Sequence, residues 1–191
     1  MTESVRIVEP AEIGRLQEIG ELTALAYLAD GLIDNAHPYV PQLRDASARA
    51  QHALLLAMVD GGGGEGKIVG TLTLVPPGSV FAELAQADEF ELRMLAVSPM
   101  ERGRGIGATL TRAALEMAVE RGAKRVVLST MDTMHSAHRL YERLGFARRE
   151  DLDWMVVDNP DGTVHQINLA EDPSCAQEGV KLLGYAWEPS H

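Results

Sequence analysis

A strand, a glycine-rich turn and a helix follow one another between Phe90 and Arg121, and this succession constrains the fold more than any other segment. "FELRMLAV" (90–97) alternates in the manner of a strand, with Glu89, Glu91 and Arg93 on one face and Phe90, Leu92 and Met94 on the other. "ERGRGIGATL" (101–110) then places Gly103, Gly105 and Gly107 where the chain turns, and Ile106, Leu110, Ala113, Ala114 and Met117 form the apolar stripe of a helix running to about Arg121. Arg102 to Leu115 contains Arg102, Arg104 and Arg112 and no acidic residue, although the chain as a whole has a formal net charge of -11. The first turn of a helix leaves N–H groups unpaired and carries a positive partial charge. Glycines let such a backbone close round a ligand. Donors, dipole and arginines together favour an anion, most simply a phosphate or diphosphate.

The remaining segments supply a sheet and further helices. "VRIVEP" (5–10) reads as a first strand, and residues 11–30 repeat Ile13, Leu16, Ile19, Leu22 and Leu25 at helical spacing. Pro38 and Pro41 make 31–42 a loop, and 43–51 is a short helix. Strands at 52–60 and 67–78 are joined by a hairpin loop at 61–66. Later strands lie at 124–131, 152–158 and 180–189, a helix at 135–146 ends on Gly145, and 159–177 is a loop. This pattern predicts a single domain over 1–191 of the α+β (mixed α/β) class, with about seven strands and about four helices.

Several functions are excluded or disfavoured on composition. The acidic balance argues against nucleic acid as a partner and favours cationic substrates. No apolar run approaches the ~20 residues of a membrane span, and "MTESVRIVEP" has no signal-peptide pattern. Cys175 is the single cysteine, which fits a reducing, cytoplasmic setting, and no nearby His equips it as a nucleophile. Gly61, Gly66 and Lys67 have phosphate-loop spacing, but Ile68 stands where Ser or Thr would hold magnesium. Gly103, Gly105 and Ala108 match a dinucleotide pattern, but several strands precede them and the turn after Val97 is long. His135 and His138 have no third ligand at metal spacing, so no metal is expected.

Arg102-Gly103-Arg104-Gly105-Ile106-Gly107 fits R/Q-x-x-G-x-G/A, and Leu140-Tyr141-Glu142-Arg143-Leu144-Gly145-Phe146 fits L-Y-x-x-x-G-F. In this order, with a strand between them, the two motifs resemble the acyl-CoA diphosphate loop and the following helix of the GCN5-related N-acetyltransferase (GNAT) superfamily. The likeness is sharpest over 89–146. It implies a GNAT-like fold: a central, mixed, mostly antiparallel twisted sheet splayed between the fourth and fifth strands. It also implies acetyl-CoA as co-substrate. Backbone N–H groups of Arg102, Gly103, Arg104, Gly105, Ile106, Gly107 and Ala108 would hold the diphosphate. Backbone groups of Leu95, Ala96 and Val97 would pair with the pantetheine arm. Met134 stands where the family commonly has a cofactor-contacting Asn, and His135 or Ser136 would take over that contact.

Acyl transfer to an amine needs the neutral amine, and a lysine-type amine of pKa about 10.4 is neutral in roughly one molecule in 2,500 at pH 7. A proton acceptor is therefore required. Glu91, placed before Arg102 as the catalytic Glu of histone-type relatives is, is the expected base, with Glu89 in reserve; a plain Glu91–Arg93 ion pair is the alternative. Tyr141 is the expected acid for the departing thiolate, the alternative being a core aromatic packed on Ala137 and Leu144. The resemblance thus implies an acetyl-CoA-dependent N-acetyltransferase that moves an acetyl group directly to a primary amine of a small molecule or peptide. A non-catalytic acyl-CoA-binding sensor is the competing expectation. Residues 27–45 and 76–89 are expected to line the acceptor side, where Asp30, Asp34, Asp45, Glu83 and Asp88 point to a cationic amine. Homodimers are common among such proteins, though nothing in the sequence fixes one.

Overall fold

Strands β2 (Leu54–Asp60) and β3 (Lys67–Val75) are buried on both faces along nearly their whole length. Helices must therefore cover the sheet above and below. A computed structural model of the chain describes residues 3–61, 66–158, 164–169 and 179–189; Cys175, the hairpin tip at 62–65 and much of the expected 159–177 loop lie outside the described residues. The other strands are β1 (Glu3–Val8), β4 (Glu89–Val97), β5 (Arg125–Met131), β6 (Ala147–Arg148), β7 (Trp154–Asp158), β8 (Val164–Asn168) and β9 (Val180–Trp187). Among the described residues they form one sheet in the order β1-β2-β3-β4-β5-β9-β7-β8, with β6 paired to β9. Every pairing is antiparallel except β4 with β5.

Helix α1 (Ile13–Ala29) sets Leu16, Ile19, Leu22 and Ala26 against Leu55, Ala57, Val59, Ile68 and Ala96 on one face of the sheet. The other face packs Leu56, Leu72, Leu74, Phe90, Leu92, Val126 and Leu128 against helix α4 (Ile106–Glu120) and helix α5 (His135–Arg143). Between α1 and β2 the chain forms two short helices, α2 (Val40–Arg44) and α3 (Ala46–His52), where one was expected. Asp45 divides them: its carboxylate accepts from the Ala48 N–H at 2.9 Å and so starts a new helix. Pro41, read as a breaker, sits in the first turn of α2, where a missing N–H costs nothing. Among the described residues the sheet has nine strands rather than about seven, because β6 is a two-residue pairing and β8 folds back on β7 inside the segment read as loop. No helix among the described residues is long and apolar enough to cross a membrane.

Gly70 of β3 fixes how closely α4 approaches the sheet. A Cβ there would lie 2.5 Å from Ile106 Cγ2 and 2.9 Å from Leu110 Cδ1. Gly70→Ala is expected to destabilise the fold by about 1–3 kcal/mol through overpacking, read as a lower urea midpoint. An unchanged midpoint would mean that this contact does not set the height of α4.

Candidate active site

β4 and β5 are paired only from Glu89–Arg125 to Leu92–Leu128. Beyond that point β4 pairs only with β3, and β5 only with β9. The separation begins at Met94, whose φ is 52°. There the β3–β4 register slips, with Thr73 opposite Arg93 and Thr71 opposite Ala96, so β4 holds one extra residue. The bulge puts consecutive side chains on one face: Arg93 bonds to Phe81 and Tyr39, while Met94 packs with Ala24 and Leu43. Strict alternation had placed Met94 beside Phe90 and Leu92, and the bulge reverses that. Leu95 and Val97 return to the α4 face. The edge of 95–97 that faces β5 has no strand partner, an arrangement in which an extended ligand can hydrogen-bond as an added strand.

The glycine turn closes one end of this gap. Gly103 and Gly105 have φ of 81° and 79°, and a Cβ on either would meet nothing within 4 Å. Glycine is thus needed for conformation, while the space beside it stays open. Gly105 caps α4, whose first turn has no acidic residue and no side-chain cap. Its first N–H groups are therefore available to an anion. The buried Ile106 anchors the helix start, and the Cα of Gly107 faces Leu140, Leu95 and Val97, at the mouth of the gap. Arg102 and Arg104, expected to attract the anion, both have carboxylate partners. Arg102 grips Asp30 through two bonds of 2.5 and 3.1 Å, and Arg104 bonds to Glu101 and to Asp60. These pairs are largely exposed, hence weak, and a diphosphate can compete for the same guanidinium groups.

Helix α5 faces the gap from the β5 side. Met134 caps it without a side-chain hydrogen bond, and the exposed Ser136 accepts from Arg139 at 3.1 Å. His138 Nε2 lies 3.0 Å from the Met131 carbonyl oxygen. Tyr141 is 7% exposed and packs edge-on against Phe146 with ring centroids 5.6 Å apart. Burial alone pushes its phenol well above the ordinary tyrosine range, so it is neutral at physiological pH and able to donate. Tyr27 of α1, on the opposite side of the sheet, packs with the Met94 cluster and sits edge-on to Tyr39 with centroids 6.3 Å apart.

On the α1 side the segments 27–45 and 76–89 meet over Arg93. Its guanidinium donates to the Phe81 carbonyl at 2.6 Å, to the Tyr39 hydroxyl at 3.3 Å and to Glu83 Oε1 at 2.6 Å. Glu91 is 1% exposed. Its Oε2 accepts from the backbone N–H groups of Glu83, Leu84 and Ala85 at 2.8, 2.8 and 3.2 Å, and its Oε1 is 3.9 Å from Arg93 Nε. Glu89 accepts from Arg125 at 2.9 Å and from the Gln86 N–H at 3.0 Å. The sequence held a Glu91–Arg93 pair only as the alternative to a Glu91 base and did not assign Tyr27, Tyr39 or the buried Arg49 to the site. Aromatics in the helix and loop leading to the acceptor side were the signal available. A groove of about 260 Å³ runs alongside, between the 83–86 segment and the β7–β8 hairpin, with Trp154 and Gln166 in its walls.

The comparisons agree with this geometry. The sequence profile described as "Acetyltransferase (GNAT) family" matches residues 18–146. "N-acetyltransferase family 8 member 3" of Rattus norvegicus is 36% identical over 92 residues, 48% of this chain and 39% of that protein. "N-alpha-acetyltransferase 30" of Schizosaccharomyces pombe is 43% identical over 61 residues, 32% of this chain and 41% of that protein. The matches thus span about two fifths of the length of these curated relatives. The solved PaiA N-acetyltransferase of Thermoplasma acidophilum, in complex with coenzyme A, superposes with a TM-score of 0.65 at 14% identity, covering 99% of this chain and 100% of that one.

Glu91→Ala would leave three part-buried N–H donors without their acceptor. The expected cost is about 3 kcal/mol or more, at roughly 1–3 kcal/mol for each unsatisfied donor. Urea unfolding of this variant beside Glu91→Gln, which keeps one acceptor oxygen and should lose less, checks the assignment.

Proposed function

Because this chain belongs to the GNAT acetyltransferase family, we propose that it moves an acetyl group from acetyl-CoA directly to a primary amine, without a covalent enzyme intermediate, and that a single domain over 1–191 does so. The observation that carries this reading is the open wedge between β4 and β5, with a glycine-turned helix start lacking any side-chain cap at its mouth and the neutral phenol of Tyr141 beside it. In this reading the N–H groups from Arg102 to Ala108 hold the diphosphate, and the free edge of Leu95, Ala96 and Val97 pairs with the pantetheine arm. Ser136, in the first turn of α5, adds a side-chain contact where Met134 offers none. The thioester then lies at the narrow end of the wedge, where the strands part.

Tyr141 gives its proton to the departing sulfur. The acceptor's proton leaves toward the acidic cluster on the other side of β4, formed by Glu83, Glu91 and Glu89, the last held by Arg125. The acceptor is a cationic amine of a small molecule or peptide. The described groove on that side is lined by Glu83, Asp151 and Asp153 and by no basic residue, which supports this choice. The cytoplasm is the proposed compartment, where a lone thiol such as Cys175 persists reduced.

Calorimetry with acetyl-CoA tests the first half of the reading, and absence of binding heat would end it. For the second half, Tyr141→Phe is expected to bind acetyl-CoA like the parent and to release thiol, with an amine present, about a hundredfold more slowly. Parent-level turnover by this variant would remove Tyr141 from the chemistry.

A further inference from the structure

Two of the acidic side chains on the acceptor side of β4, Glu91 and Glu83, lie against Arg93, and their surroundings separate their roles. Glu91 Oε2 is occupied by three backbone N–H groups, its Oε1 is turned toward Arg93, and 1% of the residue is exposed. The three donors belong to Glu83, Leu84 and Ala85, so Glu91 fastens the very segment that bears the second acid. Glu83 is the more accessible: 22% of its side chain is exposed and it lines the groove beside Gln86, Trp154 and Gln166. Arg93 holds Glu83 Oε1 at 2.6 Å, and Gln166 stands beside it in the groove wall. The Trp154 indole N–H, in the groove wall, has no hydrogen-bond partner among the described residues.

Resting on the acetyltransferase reading, we propose that Glu83 is the group that receives the acceptor amine and takes its proton, that the groove between 83–86 and the β7–β8 hairpin is the channel by which a cationic amine arrives, and that Glu91 is a positioning residue. Glu83 takes one proton from the ammonium and passes it to water. The nitrogen then attacks the thioester carbonyl, the C–N bond forms as the C–S bond breaks, and Tyr141 gives its proton to the sulfur. The second proton leaving the nitrogen restores Tyr141. The balance is one ammonium and one thioester to one amide, one thiol and one released proton.

The electrostatic setting suits this role. Burial raises the Glu83 carboxyl, and Arg93 opposes that rise only in part. A raised carboxyl is a stronger base once ionised. Activity should then climb as pH passes through a value above the ordinary carboxylate range. Stability should move the other way, falling as pH rises through the same window, because the folded form holds that proton more tightly than the unfolded chain. The charged and titratable groups that face Glu83 are Arg93 and Glu91 from β4 and Tyr39 from the segment before α2. Asp151 and Asp153 stand across the groove, the first paired with Arg149 and the second with Arg148 and Lys181. Asp153 thus has two cationic partners, and Asp151 and Glu83 one each; of the three, Glu83 is the one set beside β4, where the strands part.

The test uses the full chain, acetyl-CoA, and two amine probes: a short aliphatic diamine and the α-amine of a glycine-led peptide. Calorimetry should give the same acetyl-CoA heat for the parent, Glu83→Gln and Glu91→Gln. Thiol release by Glu83→Gln should fall about a hundredfold and lose the acidic limb of its pH profile. Glu91→Gln should slow turnover while keeping that limb. Glu83→Asp, which withdraws the carboxylate by one methylene, should keep the limb at reduced kcat, and it decides the matter if Glu83→Gln fails to fold. Parent-level rates in either Glu83 variant, or a limb lost in Glu91→Gln and kept in Glu83→Gln, would overturn the assignment. A parent that binds acetyl-CoA yet acetylates neither probe would overturn it too, with the cofactor reading intact. A parent that gives no acetyl-CoA heat would sink both.

Discussion

One extra residue in β4 opens the sheet. Were β4 and β5 paired to their ends, the parallel ladder would continue past Leu92–Leu128 and leave no edge for a ligand. Met94 prevents this by adopting a left-handed conformation, a choice that costs a residue with a Cβ roughly 1–2 kcal/mol. The bulge bends the strand and strengthens its twist, which is what bulges do beside functional sites. It also brings Arg93 and Met94 to the same face, so one distortion opens the gap and builds the wall facing it.

The two sides of that gap are electrically unlike. The α4 side offers backbone donors at a helix start with no carboxylate in its first turn, while the acceptor side gathers Glu83, Glu89 and Glu91. Such a division suits a reaction in which a polyanion and a cation meet across one strand. Left alone, the buried acids of β4, Glu89 and Glu91, would be costly, and these and Glu83 before the strand each have a distinct compensation. Glu89 has Arg125, Glu91 has three peptide N–H groups, and Glu83 has Arg93. Only the last compensation leaves a side chain beside an open groove. That contrast, more than proximity to the strand, distinguishes a group able to trade a proton from one that holds a loop in place.

Much of this architecture is legible in the residues, and the illegible parts share a cause. The glycine turn could be read because Gly103 and Gly105 occupy left-handed positions that few other residues tolerate. The stripe from Ile106 to Met117 could be read because one helix face meets one core. The bulge could not, since Met is an ordinary strand residue and nothing local marks a left-handed φ. Its neighbours in space, Ala24, Leu43 and Arg49, are distant in sequence. β8 was missed for a similar reason: "VHQIN" lacks the apolar run of a buried strand and is ordered by pairing with β7. Glu91 stood out on the strand as an acid in need of a partner. The partners are peptide groups of 83–85, brought there by the path of a loop, and a peptide group leaves no trace in side-chain chemistry.

Arg49 shows how the distortion is held. It is among the largest fully buried side chains, and no carboxylate among the described residues bonds to it. Burial lowers its guanidinium to about 10, so it keeps its charge at neutral pH. The carbonyls of Gln42 and Leu43, at the C-terminal end of α2, accept from it at 3.1 and 2.9 Å. Those are groups that a helix end leaves without partners and that favour a cation. The same nitrogen lies 2.9 Å from Met94 Sδ, and its twin reaches Thr23 of α1 at 3.5 Å. One buried cation thus ties α1, α2 and α3 to the bulged residue itself. A neutral side chain of similar volume could fill the space, but it would leave the α2 carbonyls unanswered and the methionine sulfur without its donor. The wedge in the sheet is therefore stabilised from the acceptor side, and the segments that admit the amine are fastened to the residue that makes room for the thioester.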